Sequence, residues 1–361
     1  MVAAVAQVVP FSPNRRAVGW WLIALALLVA AMVVVGGLTR LIGSGLSITE
    51  WHPVTGAIPP LSAEAWNSEF AKYQHIPQYL LEHRGMSVAG FKTIYWWEWT
   101  HRFLGRFIGF AFLLPFLYFA VTRSIARSDW PRMVLLFALG GLQGFVGWWM
   151  VESGLETRVS VSQYRLAIHL GVAILLFGAL LWTALDYLRL PAPLPRNESK
   201  YRLRPFAWAL VALVYVQMLL GALVAGLHAG FIYNTWPSMD GRAFPEGAFA
   251  GAPWWSDFFE DAGLAQFDHR IVAYVLVAGT AAFWLAERRS HRQDALLTSA
   301  NALAAIVLLQ IALGVATLLA QAPLPLAALH QAVALAVFAA ALWNAFELSN
   351  RTPFVAVQRI L

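Results

Sequence analysis

A chain of 361 residues in which 60% are hydrophobic and only 12% charged is too apolar for a water-soluble domain of this size, so it belongs in a lipid bilayer. The net charge of +6 is no sign of nucleic-acid binding, because the basic residues fall mostly in short loops between apolar stretches. Absence of cysteine excludes disulfides, iron–sulfur clusters, thiolate ligands and cysteine nucleophiles, and leaves histidine, carboxylate and backbone groups to hold any metal.

The first apolar run, 17–39, follows Arg15 and Arg16 and lacks a small-residue cleavage site, which predicts a retained span rather than a removed signal peptide. Next, Trp66, Phe70 and Tyr73 recur at helical spacing before Pro77 and predict an amphipathic helix on the outer surface, either a lid or a partner site. Windows of about 20 residues, long enough to cross a bilayer, follow at 97–121, 132–151, 164–186, 205–226, 268–287, 296–320 and 325–347. The loops at 122–132, 187–204 and 288–295 carry Arg123, Arg127, Arg132, Arg189, Arg196, Lys200, Arg202, Arg204, Arg288, Arg289 and Arg292. The positive-inside rule makes those loops and both termini cytoplasmic, and puts the long loops 40–96 and 227–267 outside.

In this topology His101, His169, His269 and His330 each lie near the outer end of an even-numbered span, at one membrane depth. Ionisable groups there are costly without a use, and imidazoles on neighbouring helices suit axial ligation of a haem iron. An internal repeat accounts for the recurrence. Gly36-x-Leu38, Gly45 and Trp51 correspond to Gly221-x-Leu223, Gly230 and Trp236; His101-Arg102 to His269-Arg270; Gln143 to Gln310; and His169 to His330. The expected fold is therefore an all-α integral membrane protein, with eight transmembrane helices in two parallel, pseudo-repeated four-helix bundles. The units are 1–190 and 205–361, joined by a cytoplasmic linker at 191–204 rich in proline and charge.

Gly105, Gly109, Gly140, Gly141, Gly144, Gly147 and Gly171 provide room for a flat porphyrin, or ordinary helix packing. His52, His75, His83 and His291 lie in loops and are given no ligand role, nor is His228, which follows span five closely and pairs with Gly43 in the repeat. Arg102 and Arg270 follow the first histidine of each unit, where they can clamp haem propionates or snorkel to headgroups. The halves differ at Glu98, three residues before His101, whose counterpart before His269 is Gln266. A carboxylate at this position in one half only points to chemistry there and to mere cofactor holding in the other, the alternative being an i,i+4 pair between Glu98 and Arg102; Asp268, directly before His269, can orient that ring or complement the helix N-terminus.

These residues resemble the haem A synthase family over nearly the whole chain, in its cysteine-free proteobacterial and mitochondrial branch. The specific stretches are Arg40-Leu41 to Ser44-Gly45-Leu46-Ser47, Glu50-Trp51, Pro53-Val54-Thr55-Gly56, Glu98-x-x-His101-Arg102 and Asn234-Thr235-Trp236-Pro237 through Met239-Asp240-Gly241. The resemblance implies an inner-membrane oxidoreductase that takes haem O as substrate at His101 and His169. It would oxidise the ring methyl at position 8 to a formyl group through a hydroxymethyl intermediate, with Glu98 as the essential carboxylate. Haem B would be the resident cofactor, held by His269 and His330. Expected partners are haem O synthase, cytochrome oxidase assembly factors and an external electron donor, since no flavin or nicotinamide fingerprint is present; a homo-oligomer is compatible with the sequence. A di-haem b-type electron carrier and a haem transporter or chaperone are the alternatives. The first should place haems near both membrane faces, and the second has no use for the Glu98/Gln266 difference.

Overall fold

Backbone amides in a hydrocarbon layer find no water, so long apolar runs satisfy them internally as helices. The computed structural model describes residues 14–189, 198–289 and 295–349. The linker stretch 190–197, including Arg196, and His291 and Arg292 lie outside the described residues. Within them, eight helices are long and apolar enough to cross a membrane, fitting a multi-pass membrane protein.

Helix α1 spans Arg15–Leu41, and after it come α2 (Ala63–Tyr73) and α3 (Pro77–Leu81). The next crossing helices are α4 (Val88–Val121), α5 (Trp130–Leu155), α6 (Gln163–Leu188) and α7 (Glu198–Gly226). A short α8 (Asp257–Glu260) leads into α9 (Ala262–Arg289), α10 (Ala295–Leu319) and α11 (Leu324–Ser349). No strand occurs among the described residues, and a single bridge joins Met239 to Arg242.

All eight predicted spans are present, but α4 starts well before the expected residue 97. With 34 residues it is about 51 Å long at 1.5 Å per residue, longer than the hydrocarbon layer. Its extra turns are held by the first long loop. Ser62 caps α2 by accepting from the Ala65 amide, and the α2 face Trp66, Phe70 and Tyr73 is buried on Phe91, Ile94 and Tyr95 of α4. The amphipathic helix is thus a lid on this chain. Hydropathy windows missed the extension because its apolar residues form one stripe facing the lid.

Packing is organised around α1, α6, α7 and α11, which touch one another in the centre. Helices α4 and α5 close a ring with α1 and α6, and α9 and α10 close a second ring with α7 and α11. Across either ring the diagonals, α4 to α6 and α9 to α11, make no comparable contact. Between the rings, Gly178 lets Phe338 approach, and Gln331 Nε2 donates to the Val33 carbonyl at 2.7 Å. The ends of α1 and α7 share a geometry: Gly43 N–H donates to Arg40 O and His228 N–H to Ala225 O, with φ of +68° and +53°. Left-handed backbone suits glycine at a helix C-terminus, whereas His228 adopts it with a side chain.

Candidate functional site

Each of the four histidines is on a helix that starts at the same end of the bundle, on diagonally opposite members of a ring: His101 on α4 and His169 on α6, His269 on α9 and His330 on α11. His101 lies within electrostatic reach of His169, and His269 of His330. Every ring rests on a glycine of the preceding crossing helix. A Cβ added at Gly36, Gly147, Gly221 or Gly314 would come within 2.7, 2.9, 3.3 and 2.9 Å of Cε1 of His101, His169, His269 and His330 respectively. Only a missing side chain leaves that room. By contrast Gly109, Gly140, Gly141 and Gly144 meet nothing there, so their role is open space and not close helix contact.

A feature without an assigned role in the sequence is a glutamine one turn before three of these glycines. Gln143, Gln217 and Gln310 donate Nε2 to the backbone carbonyls of His169, His269 and His330 at 3.0, 2.9 and 3.1 Å. The same amides lie 3.1 Å from His169 Nδ1, 3.0 Å from His269 Nδ1 and 3.4 Å from His330 Nε2. The signal that could have found them is Gln-x-x-x-Gly, at 143–147, 217–221 and 310–314; before Gly36 the residue is Met32.

Glu98 is buried, and both carboxylate oxygens are occupied by donors. Oε2 accepts from Ser47 Oγ and the Ile48 amide at 2.8 Å each, and Oε1 from Arg102 Nε and Nη2 at 3.0 and 2.6 Å. Arg102 also donates to the carbonyls of Glu50 and Ile48. Gln266 occupies the equivalent place with reversed polarity: its Nε2 donates to the carbonyls of Ala229 and Tyr233, while its Oε1 accepts from Arg270. Arg270 reaches the carbonyls of Ser238 and Tyr233 as well. Both arginines, expected to face propionates or headgroups, are therefore engaged with loop backbone, although Arg270 Nε is buried without a partner.

The lid is tied down by its own polar contacts. Tyr73 Oη bonds Gln78 Oε1 at 3.0 Å and His83 Nδ1 at 2.6 Å, and Gln78 Nε2 donates to the Gly43 carbonyl. Lys72 bridges Glu50 and Glu69, which raises its own pKa above the usual lysine range, and its hydrogen bond, with that of His52, lowers that of Glu50. His52 and His83 thus have partners within the loop, whereas His228 stands in the bend after α7.

The donor set fits a haem iron. Each unit carries an imidazole pair on helices that lie diagonally in its ring and interact electrostatically, and His101 Nδ1, His330 Nδ1 and Oε1 of Gln143, Gln217 and Gln310 are buried without hydrogen-bond partners.

Comparison with known proteins agrees with that chemistry. Residues 19–342 match the family described as cytochrome oxidase assembly protein. A relative from Parvibaculum lavamentivorans named heme A synthase is 52% identical over 341 residues, covering 93% of this chain and 96% of its own. Proteins of the same name from Bradyrhizobium diazoefficiens and Nitrosomonas eutropha are 50% and 44% identical, each covering 94% of this chain and 94% and 96% of their own. The chain belongs to the cytochrome oxidase assembly protein family.

Proposed function

We propose that this protein converts haem O to haem A, oxidising the position-8 methyl to a formyl group through a hydroxymethyl stage. The unit 1–190 takes the substrate between His101 and His169, and the unit 205–361 holds haem B between His269 and His330. What supports this best is two imidazole pairs built alike, with a buried carboxylate beside only one of them. Recurrence of the Gly–His contact in both rings supports the duplicated architecture.

Haem B, when bound, supplies one-electron chemistry. His101 and His169 bind and orient the substrate iron, which fixes the ring edge relative to Glu98. Glu98, accepting four hydrogen bonds, is a fixed negative charge one helical turn from His101, suited to stabilising positive charge that develops on an oxidised methyl carbon. The lid and the Ser44–Trp51 segment cover that end and restrict water. Arg102 and Arg270 keep the loops seated beside each unit's first histidine, near where propionates would emerge. Haem O comes from haem O synthase, electrons from an external donor, and the product serves cytochrome oxidase assembly. We place the protein in a bacterial inner membrane, with cytoplasmic termini and the histidines near the periplasmic face.

The test is expression with haem O synthase in a host lacking haem A, followed by extraction and chromatography of the haems. Haem A should accumulate; haem O left unchanged by folded, haem-loaded protein would refute the assignment. His269→Ala should remove the low-spin haem B spectrum, and an unaltered spectrum would reverse the allocation of the two units.

A further inference from the structure

Inward from the histidines the two units differ again. On α4 the residues one and two turns beyond His101, on its own face, are Gly105 and Gly109; on α5 those one and two turns inward of Gly147, against which His169 rests, are Gly144 and Gly140. By the correspondence of His101 with His269 and of Gln143 with Gln310, the same places in the second unit hold Ala273 and Val277 on α9, and Ile311 and Val307 on α10. Val307 is 2% exposed and part of the core, whereas Gly140 and Gly144 are exposed. A Cβ added at Gly109, Gly140 or Gly144 meets nothing within 4 Å. These glycines therefore do not draw α4 and α5 together, the usual use of glycine between membrane helices, and the two pack less closely than α9 and α10. They border a groove instead. Its inner end is closed where Phe112 of α4 meets Phe137 of α5, ring centroids 5.5 Å apart. At its outer end Arg102 of α4 holds the Glu50 carbonyl, and Trp51 stacks on Trp148 of α5 at 5.3 Å. The second unit has Thr280, Ala304 and Val315 in place of Phe112, Phe137 and Trp148, and can form neither ring contact.

We propose that this groove is the subsite for the isoprenoid tail of haem O, and that Gly109, Gly140 and Gly144 admit a tailed haem to the first unit while Val277, Val307 and Ile311 restrict the second to a tailless one. The inference rests on the function proposed above and deepens it. Haem O and haem B share a porphyrin and differ where haem O bears a hydroxyethylfarnesyl chain in place of a vinyl group. Both units offer that porphyrin a pair of imidazoles, so discrimination between the two haems has to come from the chain. The head of the groove asks for a ligand, because His101 Nδ1 and Gln143 Oε1 are buried there without partners. Further in, the walls are glycine and aromatic carbon, which suit a hydrocarbon chain. About 15 Å of helix separates Gly147 from Phe137 at 1.5 Å per residue, room for a chain of several isoprene units. Two axial ligands alone leave a porphyrin free to turn about the axis between them. A tail lodged between α4 and α5 stops that rotation and presents the same ring edge to Glu98 in every turnover.

Full-length protein is purified from a host that makes only haem B, so that the second unit is loaded, and haem O or haem B is titrated into it with uptake read from the Soret band. Wild type is compared with the double variant Gly140→Val/Gly144→Ile, which copies the second unit, and with Gly140→Ala. Wild type should take up haem O about tenfold or more tightly than haem B. The double variant should lose that preference through weaker haem O binding, with haem B binding unchanged. Its unfolding midpoint before titration should equal or exceed that of wild type, because the added groups enter open space and glycine is a poor helix former; a lowered midpoint would mean that the glycines serve packing and would overturn the proposal. Wild type without a preference, or a double variant that keeps it, would overturn the groove while leaving the histidine sites standing. Wild type that takes up neither haem beyond the resident one would overturn the first unit as a haem site and this inference together. Should the double variant fail to fold, a reduced preference in Gly140→Ala supports the proposal and an unchanged one overturns it.

Discussion

Glu98→Gln is an obvious test of a catalytic carboxylate, and the structure says it also has a structural cost. In the native chain both carboxylate oxygens face donors, two from Arg102 and two from Ser47 and Ile48. An amide has only one acceptor oxygen. If that oxygen stays on Arg102, the NH2 group faces the buried Ile48 N–H, and an orphaned buried donor costs about 1–3 kcal/mol. Ser47 can turn its hydroxyl toward the Ile94 carbonyl at 3.4 Å and loses less. Arg102 then bonds a neutral oxygen, which removes roughly another 1 kcal/mol of charge assistance. Together the segment Ser44–Trp51 should open more easily by about 2–4 kcal/mol, equivalent to about 30- to 900-fold faster amide exchange in that peptide. Hydrogen–deuterium exchange with mass spectrometry on peptides 44–52, with peptides of α9 and α11 as internal controls, measures this directly. Protection of the segment within a few-fold of wild type would refute the argument. Gln266→Glu is the mirror case: its carboxylate would face the carbonyls of Ala229 and Tyr233, so it should loosen the segment 227–234 despite Arg270.

His228→Gly should stabilise the protein by about 1 kcal/mol, because φ of +53° is strained for any residue with a side chain. Burial, with Arg40 nearby, lowers the His228 pKa below its ordinary value, so the stability tied to its neutral form is complete above about pH 6.5 and lost as pH falls through that range. The advantage of His228→Gly should therefore widen between pH 8 and pH 5.5 in unfolding titrations, and a gap that narrows would contradict the sign. Gly37→Ala places a methyl on the Gln331 amide and displaces its bond to the Val33 carbonyl; overpacking of this kind costs about 1–3 kcal/mol, read as a lower unfolding midpoint in detergent. Asn344→Ala removes the tie between α11 and Ser299 of α10 and should cost about 0.6–2 kcal/mol, the range for hydrogen bonds between membrane helices, measured in the same assay.

The spans and the four histidines were legible because both are written in single residues and simple windows: apolar runs near bilayer length, and costly polar groups within them. The early start of α4 was not, since Phe91, Ile94 and Tyr95 gain their burial from α2, far away in sequence. Hydropathy averages a window; it cannot know that one stripe of that window is covered. Gln143 and Gln310 were visible as matched positions of the repeat, but the contact of the glutamines with the histidines was not, for a related reason. Their separations from the histidines they touch are 26, 52 and 20 residues, set by loop lengths that differ between helix pairs, so no spacing rule links them. What stays constant is the four-residue step from glutamine to glycine, because that step is one helical turn and owes nothing to the loops.

The Glu98/Gln266 difference shows the boundary between what is readable and what must be folded to be understood. Sequence alone marks the substitution and suggests that the charged copy is the reactive one. In the structure both side chains do the same mechanical job, pinning a loop to the start of a histidine helix, and their identities follow from the polarity of what they pin. Ser47 and Ile48 offer donors, so the first loop needs an acceptor; Ala229 and Tyr233 offer carbonyls, so the second needs a donor. A catalytic role for Glu98 therefore has to be shown by an effect that loop loosening alone would not produce. Restoring the pin without the charge separates the two. Pairing Glu98→Gln with a second-site change that supplies Gln an acceptor partner should return exchange in 44–52 to wild-type rates; if haem A formation also returned, the carboxylate would be a tether and the chemistry would have to come from elsewhere in the first unit.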